Sequence, residues 1–185
     1  TASLFGVHSA SIFHNQTHIP TTTDHGDIDF QVQTRRNSSG HAQFVLTSST
    51  GFIPMLTSSF FADEDKLVYD GIPWQLAVRL YPQEYPFSSY VKDSTTFTLN
   101  FYGVKTHLGE KLAQFETSAS ISHVSASQFL TGSNKRFFLG AHRTNITGAL
   151  LNRSDIKFSR FMVWNSFLTN DEITKHSRNP KNYGL

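Results

Sequence analysis

Apolar residues recur at every second position through much of this chain, the period of a strand with one face on a core and the other in water. Ile28, Phe30 and Val32 alternate with Asp29, Gln31 and Gln33. The rhythm resumes in Ala42, Phe44 and Leu46 after the turn sequence Asn37-Ser38-Ser39-Gly40, so these two runs predict a hairpin. Trp74, Leu76, Val78 and Leu80 form a third run, and Phe97, Leu99 and Phe101 a fourth. Shorter candidates are Ile53 to Leu56, Lys66 to Tyr69, Ala113 to Glu116, Phe137 to Leu139 and Ile156 to Trp164, in which Trp164 is expected to be buried. Turn-rich pieces such as Tyr69 to Pro73 and Gly103 to Gly109 separate them. Many short strands at this spacing predict an all-β, two-sheet antiparallel β-sandwich.

One short helix near 169–177 interrupts the pattern. Thr169-Asn170-Asp171-Glu172 fits a capping box, in which the Thr169 hydroxyl accepts a backbone N–H and the Glu172 carboxylate accepts the Thr169 N–H. Ile173 and His176 supply the inward face, and Asn179-Pro180 ends the helix. No internal repeat or linker divides the chain, so 1–185 reads as one domain. Ser9 to Asp24 is the most weakly patterned stretch, and residues 1–25 are expected to be a loosely packed N-terminal arm.

Composition supports this and narrows the partners. Of 185 residues, 38% are hydrophobic and 17 are Phe, enough apolar area for a core between two sheets. Charged residues reach only 16%, with abundant Ser and Thr, a balance suited to half-buried strands. The net charge is +2 and the Lys and Arg are scattered apart from Arg35-Arg36 and Lys135-Arg136, so no nucleic-acid footprint is expected. The lack of cysteine excludes disulfides, thiolate metal sites and a Cys nucleophile. No apolar run approaches the roughly 20 residues of a membrane span, so no membrane insertion is expected. The absence of an initiator Met suggests a segment of a longer chain.

A set of motifs adds a family likeness. Phe137-Phe138-Leu139-Gly140-Ala141-His142, then Thr147-Gly148, Ser154 to Lys157, Phe161 to Trp164, Leu168 to Ile173 and His176 resemble the closing part of a laminin G-like or pentraxin-like domain. Trp74-Gln75-Leu76-Ala77-Val78 is similar to a strand of the same family. Together the matches cover about two thirds of the chain from Gly26 onward. The resemblance implies a concanavalin A-like jelly roll, a superfold that hosts lectins, adhesive domains, glycan-active enzymes and viral structural modules alike. More narrowly, Phe138 to Tyr183 resembles segments of large virion structural proteins of tailed bacteriophages, which implies a virion or extracellular location.

Candidate chemistry is sparse. Glycoside hydrolysis on such a sandwich needs two carboxylates about 5 Å apart or more. The strand motif Glu-x-Asp-x-x-Glu is absent, and Asp27 and Asp29, which share a strand face, read as solvated residues. The paired strand motifs of jelly-roll polysaccharide lyases are incomplete. His14 and His18 stand four apart, but Pro20 and the residues between them do not make a helix that would bring them onto one ion. His142 and His176 belong to the resembling pattern and read as structural. Four Asn-x-Ser/Thr sequons occur, at Asn15, Asn37, Asn145 and Asn152, where about two would arise by chance, and the excess decides nothing.

Because members of the family often hold calcium at a rim, Asp63, Asp65 and Asp70 are the calcium candidates, although their spacing matches no defined calcium loop. No other cofactor is called for. Tyr81, Tyr85 and Tyr90 lie on an aromatic, proline-punctuated loop that could stack on sugars or contact a neighbouring subunit, and Arg143 and Asn145 lie on a second turn. The chain therefore reads as a non-catalytic structural or adhesion module whose partners are neighbouring subunits of an assembly. The alternative is a lectin-like carbohydrate-binding domain.

Overall fold

A computed structural model describes residues 1–9, 28–48, 53–63, 67–83, 96–131, 135–143 and 150–179. In the larger of two antiparallel sheets, strand β1 (Ala2–Ser9) lies between β2 (Ile28–Arg36) and β8 (Lys135–Leu139). Beyond β2 follow β3 (Ala42–Thr47) and β4 (Leu56–Thr57), giving the order β4-β3-β2-β1-β8. The smaller sheet is the meander β5 (Trp74–Pro82), β6 (Thr96–His107) and β7 (Glu110–Ser122). β9 (His142–Arg143) and β10 (Leu150–Leu151) form a separate short pair. Helix α1 (His123–Thr131) follows β7, and α2 (Asn170–Arg178) lies near the C-terminus.

The alternation seen in the sequence sets which residues meet. Phe30, Val32, Phe44 and Leu46 of the larger sheet face Leu99, Phe101 and Ile121 of the smaller, all of them buried. Aromatic rings join the layers: Phe44 stacks on Phe115 at 5.5 Å and meets the edge of Trp74 at 5.1 Å. Such offset and edge contacts add roughly 0.5–1.5 kcal/mol each beyond area burial. The β2–β3 turn follows its sequence signal, with the Asn37 side chain accepting the Ser39 and His41 N–H groups and Gly40 at φ 83°.

Several expectations change. Ala2–Ser9 is no arm but an interior strand, because Phe5 and Val7 carry the alternation into the core; residues 10–27 lie outside the described ones. Gln31 and Gln33, expected in water, are buried on the outer face, where Gln33 Nε2 donates to Gln31 Oε1 and Gln31 Nε2 to Ser3 Oγ, both at 2.6 Å. Gly103 to Gly109 is not a connection: β6 runs on to His107, and only Leu108-Gly109 turns, both at positive φ. Gly103 sits inside the strand because a Cβ there would lie 2.2 Å from Phe115 Cε1.

The region from Ile53 to Leu56 contributes only the start of β4, and the described part of Lys66 to Tyr69 bends rather than pairs. Ile156 to Trp164 makes no ladder either, and Trp164 is 39% exposed with its ring 5.3 Å from that of His176. Helix α1 was unheralded, since Ser118 to Ser127 keeps a strand-like alternation of small apolar and Ser residues. Tertiary packing decides there: Ala126 is buried, and Phe129 stacks on Phe30 at 5.1 Å.

Candidate functional site

The outward positions of the smaller sheet carry a polar constellation. Arg79 on β5 stands opposite Asn100 on β6, and Tyr102, two residues further along β6, stands opposite Glu116 on β7. These residues therefore share the face away from the core. Arg79 is only 8% exposed, so its guanidinium must find partners, and it finds four bonds. Nε and Nη2 donate to Asn100 Oδ1 at 2.9 and 2.5 Å, Nη1 to the Leu168 carbonyl at 2.8 Å, and Nη2 to Glu116 Oε1 at 3.0 Å. Burial lowers the Arg79 pKa, while the Glu116 carboxylate and, after it, Tyr81 and Tyr102 pull it back up.

Helix α2 closes over this face. Its capping box forms as the sequence predicts: Glu172 N–H donates to Thr169 Oγ1 at 3.3 Å and Thr169 N–H to Glu172 Oε2 at 2.7 Å. The Thr169 backbone bond, followed by the Thr169 side-chain bond, holds the Glu172 carboxyl below its ordinary pKa. Ile173 packs on Tyr102 and Val104 in a small second core with Ala77 and Leu168. Asn170 Nδ2 donates to Glu116 Oε2 at 2.8 Å, tying the first turn of the helix to the sheet. What remains open is a shallow cleft of about 340 Å³ bounded by Arg79, Glu116, Phe167, Thr169, Asn170 and Asp171.

The predicted candidates fall in different places. Tyr81 lies on β5 beside this cleft, half-buried, with its ring edge-on to Phe167 at 4.5 Å. Tyr85, Tyr90 and Asn145 lie outside the described residues, as do Asp65, Asp27, His14 and His18. Arg143 pairs through its main chain with Leu150 in the β9–β10 ladder. Asp63 is exposed in a bend. Asp70 precedes β5, whereas Tyr81 lies near the other end of that strand, about 23 Å beyond Trp74 at 3.3 Å per residue.

At Asp70 the carboxylate is engaged by the Lys105 ammonium, whose side chain is fully buried and which also donates to the Leu67 carbonyl at 3.1 Å. A calcium ion at Asp70 would have to displace that ammonium. Burial acts to raise the Asp70 pKa, but the bonds from Lys105 and from the Ile72 N–H, with the Lys105 charge, outweigh it and leave the pKa lowered. Among the described residues no three His, Asp or Glu side chains gather as metal ligands would. Nor is any described helix long and apolar enough to cross a membrane.

A different surface departs from the ordinary. Phe137 and Leu139 of β8 stand opposite Val7 and Phe5, hence on the core-facing side of the larger sheet, yet they are 47% and 45% exposed. Among the described residues the smaller sheet has three strands against five, which at about 4.8 Å per strand makes it roughly two strand widths narrower. Phe161 fills part of the gap, 5.1 Å from Phe137 and 6.3 Å from Phe5, and is itself exposed, as is Phe158 beside Gly140. Neither the cleft nor this apolar end was named from sequence. The alternation marks Arg79, Asn100 and Glu116 as outward, but only the pairing of three strands shows that they meet. Comparison with known families, curated proteins and solved structures finds no match to this chain.

Proposed function

We propose that the chain is a non-catalytic structural or adhesion module of the laminin G-like, concanavalin A-like jelly-roll kind, working in a virion or another extracellular assembly by holding neighbouring protein subunits. The observation that carries this reading is the exposed apolar end of the larger sheet, where Phe137, Leu139, Phe158 and Phe161 lie together. Contiguous apolar surface of this kind marks contact sites on soluble domains. The polar cleft favours the same reading in a second way. Its Arg79 and Glu116 are bonded to Asn100, Asn170 and each other, as groups that fasten a helix to a sheet are.

A second reading, a lectin-like domain, has one specific feature in its favour: Phe167, Asp171 and the neighbouring Tyr81 give the cleft an aromatic wall and a carboxylate, the pair of features that sugars stack on and donate to. A glycan array probed with the full chain separates the two. The structural reading expects no saturable binding. Saturable, competable binding that is lost in Tyr81→Ala or Asp171→Ala would replace it with the lectin reading.

A further inference from the structure

We infer that α2 is an acid-released latch: when Glu116 and Glu172 take up protons, the helix leaves the smaller sheet and uncovers the apolar strip of Ala77, Tyr102 and Val104 beneath it. Such a release goes beyond the contact reading above and is independent of what the domain holds. A helix of nine residues is unstable in water by itself, so α2 persists only while the sheet holds it. No residue from Asn152 to Thr169 enters a ladder, so strand pairing in the preceding stretch does not fix its position. Ile173 and Leu168 supply apolar contact with Tyr102 and Val104, and Thr174 Oγ1 lies 3.2 Å from the Tyr102 hydroxyl. The remaining described bonds gather at the N-terminal end of the helix and run through two carboxylates.

Glu116 is the junction between sheet and helix. Its Oε1 accepts Arg79 Nη2 at 3.0 Å and Asn100 Nδ2 at 2.8 Å, and its Oε2 accepts Asn170 Nδ2 from α2 at 2.8 Å. A proton on this carboxyl removes the counter-charge of a buried guanidinium and leaves it with neutral acceptors, Asn100 Oδ1 and the Leu168 carbonyl. Water reaches that charge when Leu168 and α2 lift away, so the cost of protonation falls on the docking of the helix. Glu172 acts inside the helix, where its Oε2 accepts the Thr169 N–H at 2.7 Å and the Thr169 hydroxyl at 2.8 Å. Those two bonds hold its carboxyl below the ordinary pKa, so its share is complete above the unfolded value and is lost as pH falls through the folded one. The other charged or titratable groups around the two carboxylates are Arg79 and Tyr81 on β5, Tyr102 on β6, Lys111 on β7, bonded to Gln114, and Asp171, Lys175 and His176 on α2. Asp171 and His176 are the others able to gain a proton, and the test separates them. The Asp70–Lys105 pair also weakens in acid, but it sits on the core side at the Trp74 end of the sheet, where its loss acts on β6 itself.

The test is amide hydrogen exchange on the full chain, read as protection factors from about pH 7 down to about pH 4, just below the ordinary glutamate pKa. Protection of Ile173 to Arg178 is expected to fall about tenfold or more across that range while that of β6 holds, the scale of a hydrogen bond to a charged group. Glu116→Gln should lower α2 protection about tenfold already at pH 7, with β6 unchanged, and shrink the further loss in acid. Glu172→Gln keeps the capping box in neutral form, so it should match wild type at pH 7 and lose less protection in acid. The two together should remove most of the response. Protection of α2 that is equal at both ends of the range would overturn the proposal, and so would an equal loss in β6, the mark of global acid unfolding. A full response in the double variant would overturn it too, by passing the titration to Asp171 or His176. Should Glu116→Gln fail to fold, Glu172→Gln decides alone: an acid response as large as that of wild type contradicts the latch.

Discussion

Lys105 carries a charge to the core-facing side of β6, opposite Trp74, and survives there because two acceptors are brought to it. The Leu67 carbonyl takes bonds from both Lys105 Nζ and Trp74 Nε1, at 3.1 and 3.3 Å, and Asp70 supplies the counter-charge. Removing that counter-charge in Asp70→Asn leaves a buried ammonium with a neutral partner, and the expected loss at pH 7 is roughly 1–3 kcal/mol. Because the folded-state pKa of Asp70 is lowered, its contribution is complete above the unfolded value of about 3.9 and fades as pH falls through the folded value. The gap in urea midpoint between wild type and Asp70→Asn should therefore be full at pH 7 and close under acid. A gap that stays constant with pH would count against the ion pair. At Gly103 the constraint is steric, since an added methyl meets Phe115 Cε1 at 2.2 Å and Leu76 Cδ2 at 2.9 Å. Gly103→Ala is expected to cost roughly 1–3 kcal/mol as overpacking, read from the same unfolding curves. The sequence showed that glycine as a turn residue, because nothing local distinguishes a glycine needed for φ from one needed for space.

Among the elements, α2 was the most legible and α1 the least. The Thr169 to Glu172 spacing is a local code that works wherever the helix sits, and the inward Ile173 and His176 are the two residues buried on it. α1 has no such code: the Ser122 hydroxyl accepts the Ser125 N–H at 3.2 Å, but no acid answers at the third position, and the stretch scans as strand. Strand positions were legible where large apolar residues alternate, as from Trp74 to Leu80. They failed at Ile156 to Trp164, which enters no ladder: Ile156 packs on the core, whereas Phe158, Phe161, Val163 and Trp164 stay exposed. The roughly 3–5 kcal/mol that truncating a buried Trp costs therefore does not apply to the half-exposed Trp164. Thr169→Ala removes the hydroxyl of the cap, and the expected cost is about 1 kcal/mol. Hydrogen exchange should locate it: the amides of Asp171 to Thr174 quicken while those of β6 stay slow. Equal quickening of both would mean that α2 and the sheet open together.

Across the whole molecule, the sandwich class follows from composition and period alone, whereas the features that bear on function follow from how the strands are ordered. Nothing in the alternation of β8 tells that, among the described residues, a three-stranded layer faces a five-stranded one, and so nothing in it marks Phe137 and Leu139 as exposed. The same holds for the helix-fastening network, whose members lie far apart in sequence and meet only through the pairing of β5, β6 and β7. Both surfaces depend on the two sheets lying face to face with Phe44 of β3 stacked on Phe115 of β7. A double-mutant cycle on unfolding free energy, with Phe44→Leu, Phe115→Leu and the pair, tests that contact directly. A coupling of roughly 0.5–1.5 kcal/mol is expected from rings in contact across the layers. Strict additivity of the two losses would mean that these strands do not face one another, and the placement of both surfaces would fall with them.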